Sequence, residues 1–113
     1  MIRDDLDGVA ISPEMHKVIF ENDDVRVLET TVAVGEITPI HTHLTPTVTY
    51  VLSGSQFIRR DENGATMLDT QATSDFTFPK VWFIESLPKH TLENTGAEDL
   101  VVIAVELKRS RVD

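Results

Sequence analysis

Short β-branched runs separated by turn residues recur along the whole chain, and they constrain the fold more than any other feature. "KVIF" (Lys17 to Phe20) gives way to the turn "ENDD", and "VRVLETTVAV" (Val25 to Val34) follows until Gly35 breaks it. Then come "ITPIHTH", "TVTYVL" (Thr47 to Leu52), "QFIRR" (Gln56 to Arg60), "ATML", "DFTF" (Asp75 to Phe78), "VWFI" (Val81 to Ile84) and "LVVIAVEL" (Leu100 to Leu107). "DENG", between two of these runs, predicts a hairpin turn, because Asn-Gly supplies two residues that tolerate positive φ. A helical apolar period is missing; the segment from Asp4 to Met15 has room for a turn or two, interrupted by Gly8 and Pro13. About eight to ten short strands predict an all-β sandwich or barrel. The last run is apolar on both faces, which places it centrally or under a second layer.

The chain has 113 residues and reads as one domain, 1–113, with a barrel core over about 17–107. Cysteine is absent, which excludes disulfides, thiolate metal sites and a cysteine nucleophile. Nineteen acidic against ten basic residues give a formal charge of -9. Such a field repels phosphate backbones and anionic lipid, so neither nucleic acid nor membrane is an expected partner. The acidic first residues lack the apolar run of a signal peptide, and no segment reaches the length of a membrane span, so a cytoplasmic location is expected. The "KRSR" cluster from Lys108 to Arg111 reads as a solvated tail. Serines 53, 55, 74 and 86 lie in turn-like contexts, and no GxSxG motif or phosphate-binding glycine loop is present, so a serine hydrolase is not expected.

His41 and His43 stand one residue apart. On a regular strand they share a face, about 7 Å apart, and strand curvature lets two such imidazoles converge on one ion. The bland reading is a pair of half-exposed polar residues beside a loop. A site that holds a borderline metal and keeps positions open needs a third protein ligand. His90, in "LPKHTLEN", is the candidate; His16, near the N-terminus, reads as a surface residue.

Gly35, His41, His43, Thr47 and Gly54 reproduce the spacing of the first cupin motif, with threonine in place of the usual glutamate. The ending of the second motif is matched by His90 and Asn94, while its earlier glycine, proline and glycine fall on Pro79, Glu85 and Leu87. The chain thus resembles a small single-domain cupin over most of its length. The resemblance implies a double-stranded β-helix (jelly-roll) barrel with a divalent metal held by His41, His43 and His90. Three-histidine cupins include iron(II) dioxygenases, so iron(II) is the ion expected for function, with zinc, nickel or manganese as alternatives. No acid–base or nucleophilic residue is assigned. The expected partner is a small anionic or chelating molecule.

The missing carboxylate at Thr47 leaves a bound ion its full charge, which favours anionic ligands. Glu85, in the turn before His90, is placed to swing in and replace it. Strand alternation sends Thr47, Thr49 and Val51 inward and Val48, Tyr50 and Leu52 outward. Gln56 projects either into the cavity or to solvent. Trp82 and Phe83 read most simply as core or dimer-interface residues, with one of them a candidate for the barrel mouth, and Asn94 secures backbone at the barrel end. Two rival functions use the same barrel: a non-catalytic small-molecule binding or sensing module, and a metal-dependent isomerase or epimerase. The exposed edge of a short jelly roll needs covering, and "HKVIF" is the natural strand to pair with a second copy, which predicts a homodimer.

Overall fold

The computed structural model describes residues 6–72, 77 and 79–108. One helical turn, α1 (Gly8–Ile11), precedes nine strands: β1 (His16–Glu21), β2 (Val25–Val32), β3 (His41–His43), β4 (Thr47–Ser53), β5 (Phe57–Asp61), β6 (Thr66–Asp69), β7 (Lys80–Ile84), β8 (Leu87–Asn94) and β9 (Leu100–Leu107). They form two antiparallel sheets, one in the order β1-β2-β9-β4-β7 and the other β3-β8-β5-β6. The all-β expectation holds. Of the sequence runs, "DFTF" lies outside the described residues apart from Thr77. Of "KRSR" only Lys108 is described, with its ammonium 2.6 Å from Glu21.

Turn chemistry falls where the residues place it. In the β5–β6 hairpin the Asp61 carboxylate accepts from the backbone N–H groups of Asn63 and Ala65, a local bond that competes with strand continuation. Gly54 has φ +131°, and a Cβ there would come within 2.9 Å of Leu100 Cδ1, so this motif position requires glycine on two grounds. The all-apolar β9 lies between β2 and β4, as its composition predicts.

Period-2 alternation sets what faces inward. Along β4, Thr47, Thr49 and Val51 are buried while Val48, Tyr50 and Leu52 are exposed. Val32, Val51, Phe57 and Leu100 form the buried apolar core, with Leu68, Trp82, Leu92 and Val102 packed against it. Asn94 fixes the barrel end: its amide donates to the carbonyls of Val32 and Glu98 and accepts from Gly96 N–H. β1 is an outer strand that exposes Ile19 and Phe20. No helix among the described residues is long and apolar enough to cross a membrane.

Candidate metal centre

The histidine end of the barrel is built by pairing between strands distant in sequence. His41 on β3 lies directly across from His90 on β8, and their ring centroids are 4.3 Å apart. His43 sits 4.8 Å from His41 and 5.5 Å from His90 by the same measure. The expected trio therefore gathers at one place, with His90 in the interior of β8, after the turn.

His16 is not a surface residue. It is 1% exposed, packs 4.8 Å from His41 and 5.5 Å from His43, and forms with them a group whose candidate ligand atoms lie within 4.8 Å of one another. The N-terminal segment brings it in. Thr42 N–H donates to Leu6 C=O, Asp7 bridges to Thr42, and the α1 turn lies over the rings. A Cβ on Gly8 would meet His43 Cε1 at 2.9 Å and His16 Cδ2 at 3.0 Å. Local sequence spacing carries no signal for this long-range closure.

All four rings are held from behind. His41 Nδ1 donates to Pro39 C=O at 2.8 Å, His90 Nδ1 to Pro88 C=O at 2.6 Å and His16 Nδ1 to Ser12 C=O at 3.1 Å. His43 Nδ1 faces a Glu106 carboxylate oxygen at 3.5 Å. Since a carbonyl only accepts, Nδ1 must carry the proton in the first three, which leaves the lone pair on Nε2. Orienting acceptors of this kind fix the tautomer and ring angle of metal-binding histidines. Burial keeps His16, His41 and His90 neutral: it lowers His16 to about 4, His90 to about 3 and His41 to about 2, reinforced in each case by neighbouring histidines. A cation is thus offered neutral nitrogen donors at ordinary pH, which is the donor chemistry a borderline divalent metal needs.

Besides His16, Glu106 is a residue beside the histidines that sequence reasoning missed. It is directly across from both Arg26 on β2 and Thr47 on β4. One carboxylate oxygen accepts from Arg26 Nε at 2.5 Å, and Arg26 also pairs with Asp7 at 2.8 Å. Burial alone would raise the Glu106 carboxyl, but the bonds from His43 and Arg26 outweigh it and hold the group below its ordinary range. Arg26 is likewise raised despite burial, by Glu106 and then Asp7. The signal was available: Glu106 is the one charged residue on the inward alternation Leu100, Val102, Ala104, Glu106.

The remaining candidates divide. Thr47 and Trp82 line the cavity, and the Thr47 hydroxyl donates to Thr45 C=O at 2.9 Å. Gln56 turns its amide oxygen to the Thr70 hydroxyl at 2.6 Å and does not line the cavity. Glu85 is exposed in the β7–β8 turn, outside the lining, and Phe83 is exposed on the outer face. The cavity encloses about 70 Å³. Because one water needs ~10–15 Å³ of such space, it admits a ligand of only a handful of non-hydrogen atoms.

No protein-family model matches the chain, and no curated protein matches it in sequence. Solved structures do match in shape. A cupin domain from Bordetella pertussis is 19% identical, with TM-score 0.67 over 83% of this chain and 92% of its own. An RmlC-like cupin family protein with a double-stranded β-helix fold, from Methanocaldococcus jannaschii, is 12% identical, with TM-score 0.62 over 81% and 77%. The polyketide cyclase RemF from Streptomyces resistomycificus is 19% identical, with TM-score 0.59 over 83% and 64%. The protein has the cupin fold, a double-stranded β-helix, and its buried histidine cluster is compatible with a metal site.

Proposed function

We propose that this cupin barrel holds a divalent metal ion through His41, His43 and His90, with His16 as a further nitrogen donor within reach. In this reading the protein acts on a small anionic or chelating substrate as a non-haem iron(II) dioxygenase-type enzyme. The observation that carries it is the shared arrangement of the rings, each with Nδ1 facing a fixed acceptor and all bordering one cavity. A bound ion supplies Lewis acidity and, as iron(II), redox chemistry; zinc, nickel and manganese suit the same nitrogens in varying degree. The chain's own part is to keep the imidazoles neutral, to fix their angles, and to exclude water with the Phe57, Trp82, Leu92 and Val102 walls.

A second reading, a non-catalytic binding or sensing module, is favoured by the cavity's lack of a free carboxylate. Glu106 is committed to Arg26 and His43, and no Asp or Glu among the described residues lines the cavity. The same fact weighs against an isomerase or epimerase, which needs an acid–base pair. The polyketide cyclase among the similar structures is an enzyme on this fold, but fold alone does not choose a reaction.

The test is metal content by plasma mass spectrometry on untagged wild type and His90→Ala. Near-stoichiometric metal in the wild type and a loss of about tenfold or more in the mutant is the expected result. A wild type that is empty and takes up neither iron(II), zinc nor nickel would sink the metal reading. Oxygen consumption with iron(II) across small acids then separates enzyme from binding module.

A further inference from the structure

Arg59 and Arg60 are neighbours in sequence and opposites in environment. Arg60, on the outer face of β5, pairs with Glu93 at 2.6 Å. Arg59, on the inner face with Phe57, lines the cavity. Among the described residues no carboxylate lies within ion-pairing distance of it. The carboxylates on the strands of its own sheet are engaged elsewhere: Asp61 accepts from the hairpin backbone, Asp69 from Gln71 N–H and Glu93 from Arg60. The described lining of the cavity contains neither Asp nor Glu, in a chain that carries nineteen of them. A cation is therefore turned into a cavity from which acidic residues are absent.

An unpaired guanidinium half-buried against Phe57 and Leu92 costs desolvation with no compensating partner. Burial alone lowers its pKa to about 10, so it stays charged at neutral pH. Its five donors form a planar fork that matches a carboxylate in two parallel hydrogen bonds. Arg59 also lies close to the histidines. It pairs across β5–β8 with Leu92, one inward position from His90, a diagonal distance of about 7–8 Å in a sheet. That spacing lets one small molecule reach both.

We infer that Arg59 anchors the carboxylate of a small acid in this cavity, directing the acid's second oxygen function, a 2-hydroxy or 2-oxo group, toward the histidines. The cavity of about 70 Å³ restricts the acid to a few carbons. The role of the second oxygen rests on the proposed metal site; the carboxylate–guanidinium contact does not.

The test uses the full chain, zinc-loaded and zinc-stripped, with glycolate as probe and glycolamide as its uncharged isostere. Calorimetric titration of the zinc-loaded wild type is expected to show glycolate bound about ten- to hundredfold more tightly than glycolamide. Arg59→Met, which keeps the apolar stem, is expected to erase that preference at unchanged zinc content, and Arg59→Lys to retain part of it. A purely structural arginine predicts a lower melting temperature for ligand-free Arg59→Met; an unpaired anchor predicts an equal or higher one. Glycolate binding that is undiminished in a folded Arg59→Met protein overturns the assignment, as does a wild type that binds no glycolate with or without zinc. Should zinc fail to bind, the metal reading falls, and the stripped protein still decides: glycolate affinity lost on Arg59→Met upholds the anchor. Inorganic phosphate binding more tightly than glycolate would overturn the carboxylate as its ligand.

Discussion

In one half of the barrel, Val32, Val51, Phe57 and Leu100 pack on one another and need nothing from outside. In the other, His16, His41, His43 and His90 each lean on a specific acceptor: three backbone carbonyls and one carboxylate. The same inward alternation of strands feeds both halves. Apolar burial is non-directional and stabilises wherever water is excluded. The histidine half gains less, since every buried ring must be matched by a partner merely to offset its desolvation. The apolar half therefore carries stability, and the histidine half is free to serve a ligand.

That contrast is broken most directly by mutating each half in metal-stripped protein. Phe57→Ala should lower the unfolding free energy by about 3–5 kcal/mol in urea titration, with or without metal. His90→Leu, tested without metal, should cost under about 1 kcal/mol, because an apolar group of similar volume replaces a ring whose partner is a solvent-side carbonyl. Equal losses from the two would show that the histidines are structural.

Glu106→Gln sharpens the comparison from the other side. It keeps the volume but strips the charge shared by Arg26 and His43, and Asp7 remains to pair with Arg26. A loss of about 2 kcal/mol in stability is expected, together with a ten- to hundredfold drop in zinc affinity measured by competition with a chelating dye. Unchanged zinc affinity would detach Glu106 from the site.

The histidine half also carries a pH signature that the apolar half lacks. The folded values of His16, His90 and His41 lie below the ordinary 6.5, so the unfolded chain takes up protons that the folded one refuses. Their contribution is complete above about pH 6.5. It is lost as the solution is acidified toward about 4 for His16, and toward lower values for the other two. The expected slope is about 1.4 kcal/mol per pH unit for each such histidine, read from thermal melts of stripped protein. A flat profile between pH 6.5 and 5 would mean that the rings are solvated.

Most strands and the hairpin at Asp61–Gly64 were legible because alternation and turn chemistry act over a few residues, and the gathering of His90 with His41 and His43 was expected from the resemblance to the cupin motifs. His16 and Arg59 were not legible, whereas Glu106 stood out as the one charge on the inward alternation of β9 and went unread. His16 reaches the cluster only because the N-terminal segment bridges to β3 and β1 registers on β2, with His16 opposite Thr30. Nothing within ten positions of His16 announces that. Arg59 and Arg60 are indistinguishable in the run "QFIRR" until register shows which of them faces Leu92. Gln56 turned out to be held by Thr70, a partner fourteen residues away. Long-range register is what local pattern leaves unspecified.

Thr47 and Glu106 face each other across a single rung of the sheet. With the carboxylate on the neighbouring strand, a negative charge stays beside the histidines but bears on the outer nitrogen of His43. Two properties that one glutamate at position 47 would tie together are thereby uncoupled. In the proposed metal-loaded barrel, position 106 would set how much positive charge the pocket tolerates, and position 47 how many places around a guest stay open. Each is then adjustable by a single substitution that leaves the other alone.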